Sequence, residues 1–239
     1  MKIALLCPTR GRPDGMERLW KSAYETAQEK ENLIIVFRID KDDQVSHLKY
    51  IDLAQQYGNQ VREIVCDRHP SLGKATNDCL WMLEKDVEIL HLAGDDLIFR
   101  TEFWDEEVRK VFKQQDDHIF LAYGSDLYIS DNQRFGTHPF LHKKQVEILG
   151  YAVTDVFVGS YLDTYLNRVY DIINRKIKLP IIIEHMHGAA NKAIYDQTML
   201  EKFEREKKQN SGMLFYEIFP KIKEDALKLW EYIKSYENN

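Results

Sequence analysis

Four short apolar runs recur between residues 2 and 94: KIALLC, NLIIVFRID, QVREIVCD and DVEILHLAG. Segments with helical spacing separate them. After a loop from Pro8 to Pro13, Asp14 is expected to cap a helix with apolar positions at Met16, Leu19, Trp20 and Ala23. VSHLKYIDLAQQY and LGKATNDCLWMLEK supply the next two helices. Unbroken apolar character, as in NLIIVFRID, belongs to strands covered on both faces. The alternation therefore predicts an α/β fold with a mainly parallel, Rossmann-like sheet, right-handed crossovers and helices on both sides. A further helix, TEFWDEEVRKVFKQQ with Thr101 as its N-cap, and a strand in HIFLAYGSDLYISD extend the pattern.

Beyond about residue 125 the pattern loosens. THPFLHKKQVEILGY and GSYLDTYLNRVYDIINRK have helical spacing, and LPIIIEHMHG is a strand ending in a polar cluster. FPKIKEDALKLWEYIKSY is an amphipathic helix with Ile222, Ala226, Leu229, Trp230 and Ile233 on one face. The expected organisation is a nucleotide-binding half, residues 1–125, and a more helical substrate-binding half, residues 126–239, within one globule. No apolar run has membrane-spanning length, and MKIALLCPTRGRP reads as a core strand rather than a secretory signal. Cys7, Cys66 and Cys79 lack a CxxC spacing and are odd in number, so they are expected to be small core residues of a cytoplasmic protein. A net charge of −6 argues against a broad nucleic-acid-binding surface but is compatible with a local basic patch.

In an open parallel sheet, ligands gather beyond the carboxyl ends of the strands. Those ends carry Pro8, Thr9 and Arg10; Asp40; Asp67 and Arg68; and Asp95 and Asp96. Converging acids repel unless something compensates them. A divalent cation, Mn2+ or Mg2+, together with a ligand bearing ring or ribose hydroxyls, does so. The alternative for the Asp95–Asp96 pair is helix capping and solvation. A Walker B assignment fails, because the sole Gly-Lys, Gly73-Lys74, follows Arg68 where Gly is needed and precedes Ala75 where Ser or Thr is needed. There is also no GxGxxG after the first strand.

Taken in order, CPTRGRP, RIDKDD, SLGKATND and AGDD resemble the donor-binding elements of GT-A-fold glycosyltransferases. They are similar to the inverting family 2 type and its small phage-encoded or bacterial members, and the resemblance covers about residues 1 to 100. It implies a nucleotide-diphosphate sugar donor bound through a divalent metal. Pro8, Thr9 and Arg10 would lie against the nucleotide, Asp40 against base or ribose, and Gly73, Lys74 and Asn77 in the segment after the third strand. AGDD is similar to the DxD metal motif, except that its acids are adjacent. Asp96 would be the principal metal ligand, with Asp95 beside it on ribose or metal. His185 and His187 occupy a position similar to the C-terminal histidine that completes the metal shell in such enzymes.

The family mechanism implies a base for the acceptor hydroxyl. Asp163 is favoured and Asp155 is the alternative, while Asp126 is a candidate for holding sugar hydroxyls. Lys192 and Asp196 are candidates to close over the diphosphate. His138 and His142 are read as core or surface histidines in preference to acceptor contacts. The acceptor itself, some hydroxyl compound, is not legible. Two other activities remain open. One is a sugar nucleotidyltransferase, for which the Gly-rich first loop is too sparse at Gly11 and Gly15. The other is a non-catalytic protein that sequesters a nucleotide.

Overall fold

The structure, a computed structural model, describes residues 1–131, 133–188, 192 and 195–237. Strand β1 (Lys2–Thr9) is the centre of the parallel half. It pairs with β2 (Leu33–Asp40) on one side and β4 (Val87–Leu92) on the other, and β3 (Val61–Cys66) pairs beyond β2. All eight residues of β2 are buried. Burying each Leu, Ile or Phe side chain contributes about 1.5–3 kcal/mol, so this strand alone anchors the core. Helices α1 (Pro13–Glu25), α2 (Gln44–Tyr57) and α3 (Leu72–Asp78) are the crossovers. Strand order reverses between β1 and β4, which places a crevice at their carboxyl ends.

The remaining strands complete an eight-stranded sheet in the order β3-β2-β1-β4-β7-β6-β8-β5. Strand β7 (Phe140–His142) runs antiparallel to both β4 and β6 (Leu121–Ser125). Strand β8 (Lys176–His185) is parallel to β6, and β5 (Leu97–Phe99) is antiparallel to β8. The sheet is thus mostly parallel with antiparallel insertions. Helices α4 (Trp104–Gln114), α5 (Lys143–Leu149), α6 (Leu162–Ile172), α7 (Gln197–Gln209), α8 (Ser211–Glu217) and α9 (Phe219–Glu237) accompany it. The expected face of α9 is buried at Ile222, Ala226, Leu229 and Ile233, whereas Trp230 is 46% exposed.

Several local expectations are corrected. Pro13 opens α1, so Asp14 lies inside its first turn rather than at the cap. Helix α4 starts at Trp104, after Phe103 in the left-handed region (φ 59°). Thr101 instead accepts a hydrogen bond from the Ile182 N–H (2.8 Å), which ties it to β8. The apolar Leu97–Phe99 after the two acids is a strand, which explains its hydrophobicity. THPFLHKKQVEILGY divides into β7 and α5, where His142 Nδ1 accepts from Lys144 N (3.1 Å) and caps the helix. The helix expected over LGKATNDCLWMLEK tightens into a 3-10 turn at Cys79–Met82.

Candidate active site

The carboxyl ends of β1, β2 and β4 open into a cleft of about 540 Å³. Its far wall comes from α6 and α7. Asp40, at the end of β2, is 5% exposed and already neutralised. Arg38 donates to one of its oxygens, and Arg10 Nη1 donates to the other at 2.9 Å. Arg10 continues to Asp42 through both terminal nitrogens (2.6 and 2.8 Å).

The two adjacent acids after β4 turn to different partners, which offsets their mutual repulsion. Asp95 accepts from Thr9 Oγ1 (2.7 Å) and Arg12 Nη1 (2.9 Å). Burial pushes its carboxyl pKa up, against the Arg12 charge. Asp96 lies 3.1 Å from His185 Nε2. Burial acts to raise its pKa, but the His185 hydrogen bond and nearby positive charge outweigh burial and hold it below the usual carboxylate range.

Asp96, His138 and His185 each offer a ligand atom, and these atoms lie within 4.8 Å of one another. Local geometry aims them. His138 Nδ1 bonds the Leu92 carbonyl (3.1 Å), which leaves Nε2 as the ligand nitrogen. Buried His91 bonds the His138 carbonyl through Nε2 (3.2 Å) and fixes the same segment. His185 Nδ1 is buried with no hydrogen-bond partner among the described residues. At Gly94 a Cβ would sit 2.6 Å from Asp96 Oδ1 and 3.3 Å from His138 Cε1, so only glycine leaves room for this grouping. One carboxylate and two imidazoles fit a first-row transition ion such as Mn2+ better than Mg2+, which prefers oxygen ligands.

Other sequence candidates occupy varied positions. Pro8, Thr9, Arg10, Asp40, Asp95, Asp96, Asp163, His185 and His187 line the cleft. The His187 ring lies 5.0 Å from that of His185, outside the three-residue cluster. Gly73 packs so closely on the chain that a Cβ would meet the Thr154 carbonyl at 2.0 Å. Lys74 pairs with Asp78 (3.0 Å). Asn77 accepts from the N–H of Ala152 and donates to the Val153 carbonyl. These three position α3 and the loop after α5. Asp126 accepts from Tyr128 N, Ser130 N, Ser130 Oγ and Thr137 Oγ1, which engages it in shaping its own turn. Lys192 pairs with Glu184 (3.0 Å). Asp155 is exposed, and its backbone carbonyl accepts from Ser71 (2.7 Å). Asp163 is half-buried at the start of α6, accepting from Thr164 N (2.7 Å) on Oδ1, and burial raises its pKa.

Two parts of the site escaped the sequence. His138 lies far in sequence from Asp96 and His185, and only the β4–β7 pairing brings it near. The second is α7, a polar helix with no buried residue that crosses the cleft. At one end Asp196 accepts from Arg12 Nε and Nη2 (2.6 and 2.9 Å), Thr198 donates to the Arg10 carbonyl (3.2 Å) and Glu201 pairs with Arg68. At the other, Glu206 accepts from Ser160 N (2.5 Å) and Gln209 donates to the Val156 carbonyl (2.7 Å). Its apolar residues, Met199, Leu200 and Phe203, span little more than one turn and the rest is charged or polar, so it carries no long apolar face to announce it.

The architecture has solved counterparts. A mannosyltransferase from Pyrobaculum calidifontis, in complex with GDP-Man and Mn2+, superposes with a TM-score of 0.63 at 10% identity, covering 99% of this chain and 75% of that one. The fold is that of the GT-A glycosyltransferases. Residues 1–349 of S. aureus TarS in complex with UDP match with a TM-score of 0.57 at 12% identity, over 76% of this chain. The GT-A chain described here spans 57% of that TarS fragment. No protein-family profile and no curated protein matches the sequence.

Proposed function

We propose that the protein is a metal-dependent glycosyltransferase that moves a sugar from a nucleotide-diphosphate sugar to an acceptor hydroxyl. The observation that carries this is the grouping of Asp96, His138 and His185 at the strand-end crevice of a GT-A fold. These three residues would hold the ion; the two imidazoles weigh against Mg2+, and the Mn2+ in the mannosyltransferase complex supports manganese among the first-row ions. When bound, the ion supplies Lewis-acid stabilisation of charge on the leaving diphosphate. The chain's own groups do the rest. Thr9, Arg10 and Asp40 border the donor side of the cleft, within residues 1–125. Arg12 holds Asp95 in place and adds a fixed positive charge beside the leaving group. Asp163, from the acceptor half at residues 126–239, takes the proton of the attacking hydroxyl. Its hydrogen bonds from Thr164 fall on Oδ1, which leaves Oδ2 to receive that proton. The resemblance to the inverting family 2 type supports direct displacement with inversion, for which an acceptor-side base suffices and no covalent intermediate is needed.

Incubation with UDP- and GDP-sugars tests this. Manganese-dependent donor hydrolysis that chelator stops and Asp96→Ala abolishes is the expected result. Failure of every such donor to bind or turn over in the presence of manganese would contradict it.

A further inference from the structure

Most of the cations that line the cleft are committed inside the protein. Arg10 bonds Asp40 and Asp42, Arg12 bonds Asp95 and Asp196, Arg38 bonds Asp40 and the Asp67 carbonyl, and Arg68 bonds Glu201. Lys202 and Arg205, which also line the cleft, differ. Lys202 Nζ lies 3.6 Å from Glu206 Oε1, and Arg205 Nη1 lies 4.0 Å from Glu201 Oε2, both beyond hydrogen-bond distance. Arg205 Nε is buried with no hydrogen-bond partner among the described residues. The two carboxylates are engaged elsewhere: Glu206 Oε1 accepts from Ser160 N (2.5 Å), and Glu201 accepts from Arg68. Asp155, on the neighbouring loop, is exposed and does not line the cleft, so it supplies no counter-charge there.

The two cations stand three residues apart on α7, hence on one face of it. Lys202 packs over the segment that leads into α6: a Cβ on Gly159 would meet its Cε at 2.6 Å. Its charge acts on Asp163, working against the burial that raises the pKa of that carboxyl. The pair therefore borders the acceptor side of the cleft, where the Ser160 hydroxyl adds a neutral donor to the lining. Burial and the neighbouring Arg68 charge hold Arg205 below the usual guanidinium range, so positive charge accumulates here without a matching anion. The diphosphate of a donor has its own counter-charge in an ion at Asp96, His138 and His185. A second oxyanion would satisfy Lys202 and Arg205, a point charge and a planar fork that both suit phosphate.

We infer that the acceptor carries a phosphate group, which Lys202 and Arg205 hold while its hydroxyl meets Asp163. The word acceptor rests on the glycosyltransferase reading, but the phosphate site stands apart from turnover.

The test is binding to the metal-free full chain without donor, with glycerol 3-phosphate and glycerol as probes in ligand-observed NMR titrations. The phosphate is expected to bind about ten- to a hundredfold more tightly than glycerol. Lys202→Met and Arg205→Met keep the aliphatic stems, and each is expected to weaken the phosphate about tenfold with helix content unchanged by circular dichroism. Lys207→Met, at an exposed position of α7, is expected to leave its affinity unchanged. Equal binding of the two probes, affinity that neither cleft substitution changes, or an equal loss in Lys207→Met overturns the site. With Mn2+ and UDP or GDP then added, glycerol 3-phosphate is expected to stay bound. Its displacement by the nucleotide would show that the pair holds the donor's phosphates and would overturn the acceptor assignment. Absence of Mn2+-dependent nucleotide binding and donor hydrolysis, with phosphate binding intact, would instead overturn the transferase reading alone.

Discussion

Arg12 lies 2.9 Å from Asp95 and makes two further bonds to Asp196, so one guanidinium joins the end of β4 to the start of α7. This relationship lets two adjacent acids, Asp95 buried and Asp96 half-buried, coexist. Asp95 is matched by a fixed cation, and Asp96 is left to face the histidines. It also fastens a helix none of whose residues is fully buried. Asp196 caps α7 through Met199 N (2.8 Å) as well. Replacing it removes both functions, of which the cap alone is worth about 1 kcal/mol. Asp196→Ala is expected to raise amide hydrogen exchange across residues 197–209 at least tenfold and leave the β1–β4 core protected. Uniform protection in the variant would show that the latch is not what holds the helix.

The proton acceptor has a pH signature. Burial raises the Asp163 pKa, and a base works only when ionised. Turnover is therefore expected to fall as pH drops through a value above the ordinary aspartate range of about 4. Asp163→Asn is expected to lower kcat by about 10²- to 10⁴-fold with donor affinity unchanged. A pH–rate profile of wild type and variant checks both points.

Stability has its own acid limb. Burial depresses His91 to about 3 and His142 to about 4, below the ordinary imidazole value near 6.5. In this window the unfolded chain binds protons that the folded chain refuses. The stabilisation from these two neutral imidazoles is thus fully present above about pH 6.5 and is lost as pH falls toward about 3, by several kcal/mol in order of magnitude. Urea unfolding at a series of pH values is expected to show the loss, with a shallower slope in His91→Leu.

Asp225, 1% exposed on α9, accepts from the hydroxyls of Tyr151 and Tyr165. Asp225→Ala removes the shared acceptor of both hydroxyls, leaving them only each other, and is expected to cost about 1–3 kcal/mol by urea denaturation. Asp225→Asn, which retains an acceptor, should cost less.

The sequence and the structure agree where local pattern determines the outcome. NLIIVFRID could only be an interior strand, and β2 is buried throughout. The βα alternation carried strand ends, and with them Thr9, Asp40 and Asp96, to one crevice. What stayed illegible depends on distant pairing or on competition between partners. His138 acquires its place only because β7 lies beside β4. Asn77 and Asp126 are of suitable type for ligand contact, yet nearer backbone groups claim them. Thr101 loses its cap role to a β8 N–H. Helix α7 is fastened by charge pairs that no periodicity announces.

The central claim is a divalent ion held by Asp96, His138 and His185. Mn2+ titration followed by electron paramagnetic resonance tests it most directly. One tightly bound Mn2+ per chain with nitrogen hyperfine coupling from imidazole is expected, weakened at least tenfold in both Asp96→Asn and His138→Gln. Absence of Mn2+ binding, or binding that neither substitution changes, would contradict it.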